Sequence, residues 1–470
     1  MNQPRNIKTS DLLKFSFLLP TVLFVYNLVN LSSKYPFGDD YPAILNYLNL
    51  HIRSNSIYEK FVLLFSLHAE HQIVFCKLVS LFYYFTFKSI DFQYLVYFGN
   101  LSLIGITLIL YRSIEINKLK MFFFTPVIFI LFNFSFGQSI IWAMAALSNF
   151  FVVLFAFISI LIARKTGMTS LILLIFMLVL TSFTFGNGVL VFLPIIFNYF
   201  FEKRIKRIFI LILVGIATLY VYYYFGSILP SSRPALVINF RFIIDTILFF
   251  LAFSGSVLPN IYLALVLGSF IVIFFIYLTF SKFYLRNSTL YAMLFFLIIS
   301  SIATSIGRSS FGLQYALGSR YAFYSSLFCA LCYLSFLELK FKPNENNMFT
   351  FVSKVIICII PISLFSYLIF PMRTLYETTY SAIPYSYFVY KKIKSPITNS
   401  NIFEKMYDNS VKDINSSIVL NLFPDFGKKL SDKLDQRRGI FQDSKIEFGN
   451  VYSDAIILEE AFKNKLILND

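Results

Sequence analysis

The feature that most constrains this chain is a succession of apolar segments, each near the length needed to cross a bilayer. A spanning helix needs about 20 apolar residues. Segments that read this way are 12–31, 92–111, 121–136, 141–163, 170–185, 189–201, 208–225, 261–280, 290–306, 321–337 and 349–370. Two further stretches, 72–87 and 242–258, are ambiguous. Composition agrees: 58% of residues are hydrophobic, 14% are charged and mean hydropathy is +0.72. A soluble domain carries about 25% charged residues. These figures exclude a soluble enzyme and a disulfide-rich secreted chain. The expected fold is an all-α polytopic transmembrane bundle of about eleven spans.

The net charge of +16 would point to nucleic acid in a soluble protein. Residues 391–470 are nearly balanced in charge, so the excess belongs to the apolar body. Cytoplasmic loops of membrane proteins collect Lys and Arg. Short basic loops lie at 112–120, 164–165, 203–207, 282–286 and 340–342. If neither ambiguous segment spans, all five fall on the cytoplasmic side. Segment 72–87, which carries Lys77, then lies at the interface. Arg5, Lys8 and Lys14 precede the first apolar run, which reads as a retained transmembrane helix with a cytoplasmic N-terminus. The expected domains are a membrane body over 1–375, with a large first outer loop at 32–91 holding interfacial helices, and a small extracytoplasmic appendage at 376–470. No nucleic-acid partner is expected. Cys76, Cys329, Cys332 and Cys358 all lie in apolar runs and read as structural.

This topology sends the loop 32–71, the turn 137–139, the break 186–188, and the segments 226–241 and 307–320 to one outer face. The first loop holds Asp39, Asp40, Glu59, Glu70 and all three histidines of the chain, His51, His68 and His71. The adjacent carboxylates of Gly38-Asp39-Asp40-Tyr41 suit a general base whose pKa is set by its surroundings. The same residues also suit a solvated turn. In His68-Ala69-Glu70-His71 two imidazoles and a carboxylate fall within one helical turn. That spacing serves substrate hydrogen bonding, an interfacial helix start or, with a further ligand from Asp39 or Asp40, a divalent metal site. No other cofactor is implied, and no metal is required.

Outer arginines break the positive-inside pattern. Arg308 and Arg320 close the two ends of one short loop, where guanidinium groups can grip a phosphate bidentately. Each can also simply snorkel to lipid head groups. Arg233, Arg241 and Arg373 share the same face. Gln138 lies in the outer turn, and Asn187 lies between two glycines inside an apolar segment. Polar groups at such depth face a cavity or a partner helix.

Four elements occur in order: helix 1 followed by Gly38-Asp39-Asp40-Tyr41; the stretch from Glu70-His71-Gln72 to Leu78; the run from Phe185-Gly186-Asn187-Gly188 to Pro194; and Gly307-Arg308 with Gly318-Ser319-Arg320-Tyr321. Taken together, the chain resembles the GT-C superfamily of polytopic membrane glycosyltransferases over roughly residues 10–375. It departs from that pattern in lacking a Lys beside Gly186 and in carrying Gln72 where Arg is expected. The resemblance implies a polyprenyl-phosphate-linked or diphosphate-linked sugar donor. The acceptor would be a glycan, lipid or protein, and the setting a bacterial cytoplasmic membrane during assembly of cell-envelope polysaccharide. Asp39 or Asp40 would activate the acceptor hydroxyl. Glu70, His71, Gln138, Asn187, Arg308 and Arg320 would bind substrate. Two other classes compete. A lipid-linked glycan polymerase or ligase would lean on Arg308, Arg320 and Arg233. A flippase would line its spans with charge, and mid-span charge is nearly absent here.

Overall fold

The computed structural model describes residues 9–34, 36, 38–114, 120–228 and 239–340, with scattered positions between 351 and 370. The expected span 349–370 falls mostly outside the described residues. Arg233, Arg373 and the appendage 376–470 lie wholly outside them.

Helix α1 (Thr9–Leu31) leads to a π-helical turn (Tyr41–Asn46), α2 (Tyr47–Arg53) and α3 (Ile57–Phe65). A short hairpin of β1 (Leu67–His68) and β2 (His71–Gln72) follows. Next come α4 (Val74–Phe87), α5 (Phe92–Ser113), α6 (Lys120–Leu131), α7 (Gly137–Ile141), α8 (Ala143–Ala145), a π-helical segment (Ala146–Phe150) and α9 (Phe151–Ala163). Helix α10 (Met168–Ser182) is followed by a 3-10 turn (Gly188–Val191), α11 (Phe192–Phe201), α12 (Ile205–Ile228), α13 (Phe240–Ser254), α14 (Ile261–Phe280) and α15 (Phe283–Arg286). Last come α16 (Ser288–Arg308), two 3-10 turns (Ser309–Phe311 and Leu313–Leu317) and α17 (Ser319–Lys340). In hydrocarbon the backbone must satisfy its own hydrogen bonds, which is why apolar runs of this length fold as helices.

Among the described residues six helical stretches are long and apolar enough to cross a membrane: Phe92–Ser113, Ala143–Ala163, Ile205–Phe225, Ile261–Phe280, Ser288–Phe311 and Ser319–Leu339. Five shorter apolar helices accompany them, among them Leu18–Leu31, Met168–Ser182 and Gly188–Phe201. Only 11% of the apolar window of α12 and 22% of that of α14 is buried within the protein. Ile216, Val266, Phe270 and Ile273 all point outward. An apolar surface of this extent needs lipid rather than water around it. The span expected at 141–163 begins two residues late, because Trp142 adopts an extended backbone and separates α7 from α8. Gln138, expected in a turn, therefore sits on the short helix α7.

Contacts sort the helix ends into two groups. At one end Asn287 donates to Ser113 O (3.0 Å) and to Glu338 (2.7 Å), and Arg164 donates to Thr289 (2.9 Å). Arg204 donates to Ala163 O (3.1 Å), and Arg286 donates to Leu339 O (3.3 Å). The expected basic loops flank these residues, so they gather at a common end. Helix α4 does not leave the other end: Val74 N–H donates to Phe183 O (2.9 Å), and Phe92, four residues past Lys88, donates to Lys34 O (3.3 Å). With 14 residues it is one of the shorter apolar helices and not one of the six long ones.

Close helix packing depends on small residues. A Cβ added at Gly268 would overlap the carbonyl of Leu251, and one added at Gly255 would overlap that of Ala264. These two glycines let α13 and α14 meet backbone to backbone. Gly268→Ala should destabilise the protein by ~1–3 kcal/mol, read as a lower Tm in detergent. Gly307→Ala, where a Cβ meets nothing within 4 Å, should leave the Tm unchanged. Equal Tm values for both variants would contradict the tight α13–α14 contact.

Candidate functional site

The acidic pair follows directly from a glycine constraint. Gly38 has φ +58, and a Cβ there would sit 3.2 Å from the Trp142 ring, so the chain turns tightly against that indole. The turn delivers Asp39 and Asp40 into different surroundings. Asp40 is 1% exposed, and its Oδ1 accepts the backbone N–H of Met144 (2.8 Å). That amide belongs to the first turn of the stretch Ala143–Ala163, so the carboxylate sits where the helix dipole favours negative charge. Asp39 is 27% exposed, and its Oδ2 lies 3.8 Å from His68 Nε2. π-helical segments follow this point on both contributing stretches of the chain, at Tyr41–Asn46 and Ala146–Phe150. Such segments are frequent at functional positions.

The sequence His68-Ala69-Glu70-His71 does not form the helical turn expected of it. His68 pairs with His71 across the antiparallel hairpin, and Ala69 takes φ 49 in the turn. A non-glycine residue in this region carries roughly 1–2 kcal/mol of strain. The polar spacing that reads as i, i+3 on a helix is here a cross-strand pair. The hairpin is held from outside. Gln72 donates its backbone N–H to Tyr222 Oη (3.2 Å) and its side-chain amide to Tyr222 O (3.1 Å). Just after it, Lys77 on α4 donates to Leu63 O (2.8 Å), Ser66 O (2.8 Å) and Ser66 Oγ (2.9 Å), closing the C-terminal end of α3.

The turn aims Glu70 at the end of α16, where Arg308 forms an ion pair with Glu70 Oε1. His71 Nε2 stands 4.0 Å from the same oxygen. The His71 ring packs on Phe185, centroids 4.4 Å apart, and a Cβ at Gly186 would overlap it. The break after α10 is therefore shaped to receive this imidazole, and Gly186 is the residue that permits the approach. Asn187 donates from Nδ2 to Tyr324 Oη on α17 (2.8 Å). Its Oδ1 is buried without a hydrogen bond among the described residues.

The second arginine is held by aromatic rings. Arg320 contacts Tyr315 Oη, and its guanidinium lies 4.8 Å over the Tyr315 ring and 5.2 Å over the Tyr321 ring. Arg308 lies 5.4 Å over Phe311, whose ring is 5.2 Å from that of Tyr315. The Phe311–Tyr315 pair thus bridges the two arginines. Gln138 joins through its backbone, which donates to Ser319 Oγ (3.2 Å) at the start of α17.

A continuous line of contacts therefore runs from Asp39 through His68 and the hairpin to Glu70, Arg308 and Arg320, with His71 and the Gly186–Asn187 break beside it. Asp40 and Gln138 enter from the α7–α8 side of the same end. Neighbour tracking along the sequence does not reveal His68 as the partner of Asp39, Tyr324 as that of Asn187, or Tyr222 as the clasp of the hairpin. Each is a long-range pairing between segments with no shared motif. His51 stands on α2 against Tyr47 (3.4 Å), and burial together with Lys60 holds it below the ordinary histidine pKa. Among the described residues no group of three or more His, Cys, Asp or Glu is arranged to hold a metal ion. The metal cluster considered for His68-Ala69-Glu70-His71 is not assembled.

No family model, curated protein or solved structure matches this chain. Fold and surface define it as a predominantly helical, multi-pass membrane protein. The candidate site residues come together at one end of the bundle, opposite the basic loops.

The Glu70–Arg308 pair links the hairpin to α16 and is testable by a double-mutant cycle. Glu70→Gln, Arg308→Gln and the double variant should show a coupling on the order of 1 kcal/mol in detergent unfolding. Strictly additive losses would mean that the pair does not hold the hairpin in place.

Proposed function

We propose that the chain is a membrane glycosyltransferase of the GT-C type. It would transfer a sugar from a polyprenyl-phosphate or diphosphate donor to an acceptor hydroxyl, with Asp39 as general base. The observation that carries this reading is the joining of an accessible carboxylate to two arginines by one line of contacts at the end of the bundle opposite the basic loops. A donor with an apolar tail and an anionic head needs such a place, at the membrane surface and lined with fixed cations.

In this reading the acceptor oxygen attacks the anomeric carbon as its proton passes to Asp39. The bond from that carbon to the phosphate oxygen breaks, its electron pair leaves with the phosphate, and the configuration inverts. Asp39 suits the base because it is the more accessible of the two carboxylates, with His68 beside it to orient the group. Asp40 anchors the turn through Met144. Arg320, presented on two tyrosine rings, and Arg308, once it turns from Glu70, would stabilise charge growing on the leaving phosphate. His71 and Asn187 line the approach.

The proposed topology has about eleven spans, with α4 and α13 not crossing. The N-terminus is cytoplasmic and the catalytic end extracytoplasmic, in a bacterial cytoplasmic membrane. The gathering of the basic loops at the opposite end supports this orientation.

The two carboxylates should separate experimentally. Asp39→Asn should reduce sugar transfer at least 100-fold in membranes while leaving the Tm within a degree or two of the parent. Asp40→Asn should lower the Tm first, because it weakens the acceptor at the start of Ala143–Ala163. Full transfer by Asp39→Asn, measured with a polyprenyl-phosphate sugar donor, would remove the base assignment. Full transfer by the double variant as well would remove the enzyme class.

A further inference from the structure

The end of the bundle opposite the candidate site holds a second charged feature, which the proposed reaction does not use. The connection between α9 and α10 and the one between α11 and α12 are stapled together there. Arg204 donates to Ala163 O (3.1 Å), and Arg207 donates to Lys165 O (2.7 Å) and Gly167 O (2.9 Å). Both guanidinium groups also pack on the Tyr199 ring, at 5.3 and 5.8 Å. These two arginines are spent on the carbonyls that close α9, where cations are favoured. Glu202, the nearby acid, is taken by Arg204 (2.7 Å).

That leaves Lys165, Lys203 and Lys206 with no ion-pair partner among the described residues. Lys203 is held at φ 55, which fixes the sharp turn into α12. Lys203 and Lys206, with Thr166, Arg204, Ile205 and Arg207, line an open cleft of about 550 Å³. Ile205 supplies its apolar side, and Phe200 and Phe209 flank that stretch of chain; Phe200, Ile205 and Phe209 are 63%, 62% and 64% exposed. The cleft thus offers uncompensated ammonium groups beside side chains that belong in hydrocarbon.

We propose that this cleft is a binding site for an acidic phospholipid. The head-group phosphate would be held by Lys203 and Lys206, and the acyl chains would lie along the exposed face of Phe200 and α12. Basic pockets between helices on the cytoplasmic side favour anionic lipid head groups. A free phosphate would share the charge contacts but would have no use for the aromatic and aliphatic rim. The site would tie the α9–α10 and α11–α12 connections to the leaflet that carries acidic lipid, and it is independent of the sugar-transfer reading.

The test is thermal unfolding of the full chain in detergent, titrated with phosphatidylglycerol, phosphatidylcholine or inorganic phosphate. Phosphatidylglycerol should raise the Tm in a saturable way, with phosphatidylcholine and phosphate giving little shift at the same concentration. In Lys203→Asn/Lys206→Gln the lipid concentration for half-maximal shift should rise at least tenfold. Asn is chosen at 203 because it accepts positive φ. Should the double variant be poorly folded, Lys206→Gln alone should still raise that concentration about threefold. An unchanged titration in either variant would overturn the site. A shift of equal size with inorganic phosphate would overturn the lipid assignment in favour of a free-anion site. An equal shift with phosphatidylcholine would reduce it to non-specific solvation by lipid.

Discussion

The structure depends on one constraint: a backbone surrounded by hydrocarbon must satisfy its own hydrogen bonds. This requirement turns the apolar runs into helices and expels irregular backbone to the ends of the bundle. The exceptions are instructive. The turn at Gly38, the extended Trp142, the hairpin 67–72 and the break at 186–188 all gather at one end, and each finds partners there. Met144 N–H meets Asp40, Val74 N–H meets Phe183 O, and Gln72 meets Tyr222. One of these satisfying groups, Asp40, belongs to the candidate site, and the others hold the segments that carry it. Site and irregular backbone therefore share one end of the bundle.

The two ends of the bundle show contrasting uses of charge. Opposite the site, Arg204 and Arg207 close the end of α9 and Asn287 ties three helices through Ser113 and Glu338. These contacts stabilise helix termini. At the site end Arg308 faces a carboxylate supplied by a strained turn, and Arg320 rests on tyrosine rings. At both ends aromatic faces help to place the guanidinium groups, Tyr199 under Arg204 and Arg207 and Tyr315 and Tyr321 under Arg320.

Much of this was legible in the residues. Hydropathy located the long helices because spanning length and apolar composition leave little choice. The charge pattern sorted the loops by side, and Arg164, Lys203 and Arg286 do meet at a common end. His68-Ala69-Glu70-His71 was misread as helical because four residues cannot establish a period, and a hairpin and a helix turn place the same side chains together. Asp39 and Asp40 looked interchangeable because nothing in Gly-Asp-Asp-Tyr says which carboxylate faces a helix N-terminus.

The amino-acid order alone settled the class of protein, the placement of most helices and the segregation of basic loops, since these rest on local composition and on the solvent. The three-dimensional fold assigned the partners. It separated Asp40, buried on Met144, from Asp39, accessible beside His68, and it brought His71 onto Gly186, Glu70 to Arg308 and Asn187 to Tyr324. Those pairings join residues up to 238 positions apart (Glu70 and Arg308, 308 − 70). They follow from how the helices and their connections pack, a property of the whole bundle that no local pattern encodes.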